Sequence, residues 1–269
     1  MPGRETRLMR FFDRDSNAVV IAADHGEFDG PIPGMVRIDE VANKIDPVVD
    51  AVLLSPGILP RFSNLFGARN APLAVMRLNW CSVYCFDWKY REAPAVQAVS
   101  AAEAIRLGAD IALVSLTLQT GSEQRDVQNV ELFCKLRQEC HSFGLPVIGE
   151  YFPSGHLEMT PEHLHEQIKI GCRILAELGA DCIKTFHTHK FPEVVEGCPI
   201  PILGLGAEKL PTQLDALKLA SREIAEGARG VVFGRNAIQV PDPPAFQRAL
   251  CDVVKNNVTP EQAVAKYGL

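Results

Sequence analysis

No apolar run in the 269-residue sequence reaches the ~18 residues that a bilayer-spanning helix needs. The first residues, MPGRETRLMRFFDRDSN, are charged and lack the apolar stretch of a secretory signal. Basic residues are not in surplus: 27 Lys and Arg stand against 33 Asp and Glu, a formal net charge of −6, which argues against a general nucleic-acid binder. No Cys-x-x-Cys pair occurs among Cys81, Cys85, Cys134, Cys140, Cys172, Cys182, Cys198 and Cys251. Such scatter reads as free, mostly buried thiols of a reducing compartment and not as a disulfide framework. No Gly-x-Gly-x-x-Gly turn follows the first apolar run, which weakens a dinucleotide-binding open sheet. These absences leave a cytoplasmic globular protein with no membrane and no nucleic-acid partner.

What is there is an alternation. AVVIAAD (18–24), DAVLLS (50–55), PLAVMRL (72–78), DIALVSL (110–116), PVIGEYF (146–152), DCIKTF (181–186), PIPILGLG (199–206) and GVVFG (230–234) are apolar runs of five to eight residues. Near-continuous apolarity is the pattern of strands buried on both faces of a parallel sheet. Helical spacing fills 95–107, 127–143, 161–178 and 212–226 between them. Thr160 before Pro161, and Thr212 after Pro211, read as N-caps. LGAD recurs at 107–110 and 178–181, and GARG at 227–230, each a glycine helix end running straight into a strand. Eight such strands predict one α/β domain over 1–269, a (β/α)8 TIM barrel, with a doubly wound open sheet as the alternative.

Barrel chemistry sits at the carboxyl ends of the strands. Those ends carry Asp24-His25-Gly26, Arg77, Glu150, Lys184 with His187 and His189 beyond it, Gly206, and Gly234-Arg235-Asn236. Lys184 is the most informative, because an ammonium inside an apolar strand is costly. The burial that opposes the charge favours a neutral amine, which can attack a carbonyl carbon. The bland alternative is a structural ion pair with Asp24 or Glu150. Asp24, Glu150 and His25 are the candidate proton carriers, with an end-of-strand cap as the alternative for Asp24-His25 and a salt bridge to Arg77 or Lys184 as the alternative for Glu150. Arg77 and His187 are expected to help hold the substrate. Gly206, Gly234 and Arg235 form an expected anion site, with an ordinary turn as the alternative. His187-x-His189 lacks a third ligand at suitable spacing, so no metal is expected, and no cofactor. His163 and His165 read as surface residues of a helix. The segment 79–92 concentrates Trp80, Tyr84, Phe86, Trp88 and Tyr90 after the third strand, and reads as a lid or an oligomer contact.

AADHGEFDGPIPGMVRID, GADCIKTF, KLP after the seventh strand and GARGVVFGRNAIQ resemble the class I aldolases of the archaeal-type fructose-bisphosphate aldolase group. Deoxyribose-phosphate and tagatose-bisphosphate aldolases and the thiolase of autoinducer-2 breakdown are relatives in that group. The resemblance runs over nearly the whole chain. It implies a lyase acting on a small phosphorylated carbonyl compound, with the Schiff-base lysine at Lys184 and a catalytic aspartate at Asp24. It implies phosphate binding at Gly234 and Arg235 with Gly206, and a ring-like homo-oligomer such as a decamer. Thiolase-like transfer to coenzyme A and a non-catalytic phosphosugar-binding barrel are the alternatives. One departure stands out. Where the aldolases end strand five in Tyr-Pro-Arg-Gly, this chain has Phe152-Pro153-Ser154-Gly155, and Tyr151 should point to the other side of the strand.

Overall fold

A computed structural model describes residues 2–13, 16–88, 90 and 92–269. Eight parallel strands close into a barrel in chain order: β1 (Ala18–Ala22), β2 (Ala51–Leu54), β3 (Leu73–Arg77), β4 (Ile111–Leu116), β5 (Val147–Tyr151), β6 (Cys182–Phe186), β7 (Ile202–Leu205) and β8 (Gly230–Phe233). β1 closes the ring by pairing with β2 on one side and β8 on the other, Ala18 opposite Gly230. The open-sheet alternative is thereby excluded. All eight expected strands form, and each is buried along its length, as their unbroken apolarity requires.

Alternation within each strand sorts side chains to two sides. Ala18, Val20 and Ala22, Leu73 and Val75, Ile148, Cys182 and Val232 share one cluster inside the barrel, while their neighbours Val19, Ile21, Ala74 and Ile183 pack outward against helices. Phe11 of the amino-terminal helix Pro2–Phe11 joins the inner cluster and stops its lower end. The inner rows therefore fill the barrel floor with apolar side chains, and whatever continues a row upward faces the open end.

The helices at Glu123–Ser142, Pro161–Glu177 and Gln213–Ala225 lie where the spacing puts them. Thr160 and Thr212 are N-caps whose hydroxyls accept from the amides of His163 and Asp215. Gly108, Gly179 and Gly227 take φ of 101°, 91° and 104°, the left-handed geometry that turns each helix end into the next strand. The expected helix over 95–107 is a correction. Ala95–Gln97 is a strand paired antiparallel with Asn79–Cys81, and the helix is only Ala101–Arg106. Ser100 takes the cap by accepting from the Glu103 amide, so the alanine-rich propensity upstream yields to strand pairing.

This hairpin brings the aromatic segment over the open end of the barrel. Trp80 donates to the Glu27 carbonyl at 3.1 Å, while Trp88 and Tyr90 are exposed; Lys89 and Arg91 lie outside the described residues.

Tyr151 points outward, as its position on the strand predicts. Its hydroxyl is 3.2 Å from Gln167 and its ring presses on Gly171, where a Cβ would overlap it. Gly171→Ala should cost about 1–3 kcal/mol in denaturant unfolding by forcing apart the Pro161–Glu177 helix and β5.

Candidate active site

Continuing the inner rows by one position changes their chemistry. The row of β1 reaches Asp24, that of β3 ends at Arg77, that of β5 reaches Glu150 and that of β6 reaches Lys184. Glu150 and Lys184 are direct partners in the β5–β6 register. The sequence candidates thus meet: Arg77 Nε donates to Asp24 Oδ2 at 2.8 Å, Arg77 Nη2 to Glu150 Oε2 at 2.7 Å, and Lys184 Nζ lies 2.5 Å from Glu150 Oε1. All four are buried. Both bland alternatives for Glu150 are therefore present at once.

Arg77 is sandwiched between the rings of Phe28 and Tyr84, at 5.1 and 4.8 Å. Of its nitrogens, Nη1 is the one without a partner among the described residues. The contact with substrate expected of Arg77 is thus confined to that atom; the rest of its fork holds carboxylates. Burial works to raise the carboxyls of Asp24 and Glu150, but Arg77 and Lys184 outweigh it and hold both below the ordinary carboxylate range. Tyr84 enters from the segment after β3 and donates to Glu150 Oε2 at 2.7 Å. Burial, reinforced by the Glu150 carboxylate, pushes its phenol far above the usual range, so it is a neutral donor.

These groups line a cavity of about 860 Å³ at the carboxyl end of the barrel. His25, Gly206, Gly234 and Arg235 line it too. The two glycines owe their place to packing. A Cβ at Gly234 would overlap the His25 ring and stand 2.8 Å from the Ala22 carbonyl, and one at Gly206 would stand 2.9 Å from the Phe233 ring. The Gly206 amide already donates to Val232. Arg235 Nη2 donates to the Ala207 carbonyl at 3.0 Å and its Nε is buried without a partner among the described residues. Asn236 knits the loop after β7 to β8: its Nδ2 donates to the carbonyls of Gly206 and Glu208, and its Oδ1 accepts from the Leu210 amide.

His187 does not join the cavity. Its Nε2 is 2.8 Å from Glu226 and its ring lies on Phe191, on the helix side of β6. His165 is a second correction: it is buried, not at the surface, between Thr188 at 2.9 Å and Glu193 at 3.3 Å. Sequence reasoning missed His156, which lines the cavity against Phe152 and Phe186. It also missed Glu27, behind the cavity, whose carboxyl burial raises to about 7. The apolar flanks of both residues were the available signal.

Burial lowers His25 and His156 to about 4. The unfolded chain then takes up protons first as pH falls from about 6.5 towards 4, so acid weakens the fold across that window. Glu27 has the opposite sign: the folded chain takes its proton first, a contribution lost as pH rises through about 7. NMR titration should show both imidazoles neutral at pH 6, with midpoints near 4.

The sequence profile of the DeoC/LacD family aldolases matches residues 18–240. An uncharacterised aldolase of Saccharolobus solfataricus is 30% identical over 264 residues, 96% of either chain. A 3-hydroxy-5-phosphonooxypentane-2,4-dione thiolase of Yersinia pestis is 31% identical over 269 residues, 99% of this chain and 86% of the relative. Among solved structures, a Schiff-base-forming fructose-1,6-bisphosphate aldolase is 26% identical with a TM-score of 0.79, covering 93% of this chain and 99% of that one. An archaeal fructose-1,6-bisphosphate aldolase whose catalytic lysine is covalently bound to the carbinolamine intermediate superposes equally well, at 25% identity and with the same coverage. The chain belongs to the DeoC/LacD aldolase family and is an enzyme of the class I aldolase type.

Proposed function

We propose that the enzyme cleaves or forms a carbon–carbon bond in a phosphorylated, ketose-like substrate through a Schiff base on Lys184. The observation that carries this reading is the Glu150 carboxylate, hydrogen-bonded to the lysine amine through one oxygen and to the Tyr84 phenol through the other. One base thus reaches the nucleophile and a second proton carrier.

The steps follow from those contacts. Glu150 takes a proton from Lys184, and the neutral amine adds to the ketone carbon. The carbinolamine hydroxyl leaves as water when Glu150 returns that proton to it, and the adduct becomes an iminium on Lys184. In cleavage, the electron pair of the adjacent carbon–carbon bond flows into the iminium to give an enamine. The hydroxyl that becomes the aldehyde carbonyl passes its proton to Tyr84 while Tyr84 passes its own to Glu150. Tyr84 thereby takes over from the strand-five tyrosine that Phe152 replaces, and its ring stands 4.6 Å from Phe152. Asp24, fixed on Arg77, supplies negative potential beside the iminium, and His25, neutral with Nδ1 unpartnered among the described residues, is a further proton carrier lining the cavity. Arg235, with the backbone around Gly234 and Gly206, receives the phosphate and orients the reacting bond.

Acyl transfer to coenzyme A is the second reading, favoured by the match to 3-hydroxy-5-phosphonooxypentane-2,4-dione thiolase. It uses the same lysine and differs in requiring a thiol acceptor.

Borohydride reduction after incubation with dihydroxyacetone phosphate should leave a ligand-sized adduct on Lys184, absent in Lys184→Ala. Absence of an adduct from a ketone phosphate that demonstrably binds ends the iminium reading. Tyr84→Phe should keep the adduct yet lower turnover by about 10²-fold or more. Turnover that appears only when coenzyme A is added selects the thiolase reading.

A further inference from the structure

The cavity is divided chemically. Tyr84, Phe86, Phe152, His156 and Phe186 line one wall, with Phe152 at the centre, 4.6 Å from Tyr84, 6.0 Å from Phe86, 4.7 Å from His156 and 4.9 Å from Phe186 by ring centroids. These rings come from β6 and the segments after β3 and β5. Arg235 follows β8, two strands round the ring from β6 and three from β5. Among the described residues, five carboxyl groups line the cavity (Asp24, Asp29, Asp87, Glu150, Glu208) against three cationic side chains (Arg77, Lys184, Arg235). Arg77 and Lys184 are already bound to Asp24 and Glu150, which leaves Arg235 as the described cation outside those pairs. Asp87 follows Phe86 on the aromatic side, and the Glu208 carboxylate acts electrostatically on His156.

We propose that the substrate carries one anionic group, at Arg235, and that its other half, the aldehyde fragment released on cleavage, is uncharged and apolar, an aromatic or branched aliphatic group laid on the Phe152 wall. This rests on the reading above in taking Arg235 as the phosphate site and in calling the other half an aldehyde released on cleavage. A second phosphate would bring a charge of about −1.5 to −2 to a wall of rings flanked by Asp87 and Glu208. An apolar group there gains burial and ring–ring contact instead. A bisphosphorylated sugar is therefore the wrong shape of charge for this cavity.

Calorimetric titration with two ligands that lack a carbonyl tests the inference without the lysine chemistry: 4-phenylbutyl phosphate and hexane-1,6-diyl bisphosphate, with inorganic phosphate as reference. The phenyl ligand should bind about tenfold or more tighter than the bisphosphate. Phe86→Ala, at a half-buried position in the segment after β3, should shrink that preference about threefold or more, and Phe86→Leu should restore part of it. Glu208→Gln should tighten the bisphosphate more than the phenyl ligand. A bisphosphate bound as tightly as the phenyl ligand, or a phenyl ligand bound no better than phosphate, overturns the proposal. A held preference together with failed borohydride trapping removes the Schiff base and leaves the apolar half standing.

Discussion

Asp24 and Glu150 share one buried cavity, and the Arg77 guanidinium between them is what lets both stay ionised. Two carboxylates in so dry a place would otherwise compete, and one would hold a proton. Arginine suits the position because its planar fork reaches both through different nitrogens, Nε and Nη2; a lysine offers one point of charge. The desolvation of such a cation is large, and two ion pairs plus two aromatic faces, Phe28 and Tyr84, offset it. Removing Arg77 would strip Asp24 of its ion pair and leave Glu150 to Lys184 and Tyr84, so this residue couples the stability of the barrel mouth to the chemistry it holds.

With Lys184 included, the cluster has two anions and two cations. Protons can pass among Lys184, Glu150 and Tyr84 while the total charge of the group stays constant. That suits a low-dielectric site, where creating a new charge is far costlier than relocating one. The apolar floor beneath serves the same end. It keeps water from entering below, and the N-terminal helix, through Phe11, stops that end of the barrel.

The barrel and the quartet were legible in the sequence because both rest on local, periodic signals. Unbroken apolar runs mark every strand, glycine helix ends precede β4, β6 and β8, threonine caps open two helices, and a lysine or glutamate inside such a run is conspicuous. Counting by twos along β3, β5 and β6 even places Arg77, Glu150 and Lys184 on the same side as the core. Three of the features that sequence did not show share a cause. Tyr84 meets Glu150 across 66 positions of sequence, a contact no local pattern encodes. His165 looked like a surface residue because its burying partners, Thr188 and Glu193, come from another element. Residues 95–97 carry helical composition, yet the strand Asn79–Cys81 claims their backbone. Tertiary pairing decides in each case.

Asn236 fastens the loop after β7 entirely through backbone atoms: two carbonyls and one amide. Nothing in that anchorage depends on which side chains stand at positions 207–209. The loop's path is thus decoupled from its composition, and Glu208, at the cavity, is free to be exchanged for a residue of another size or charge without moving the scaffold. A single side chain in the turn after β8 thus holds the rim in place while leaving its charge open to change.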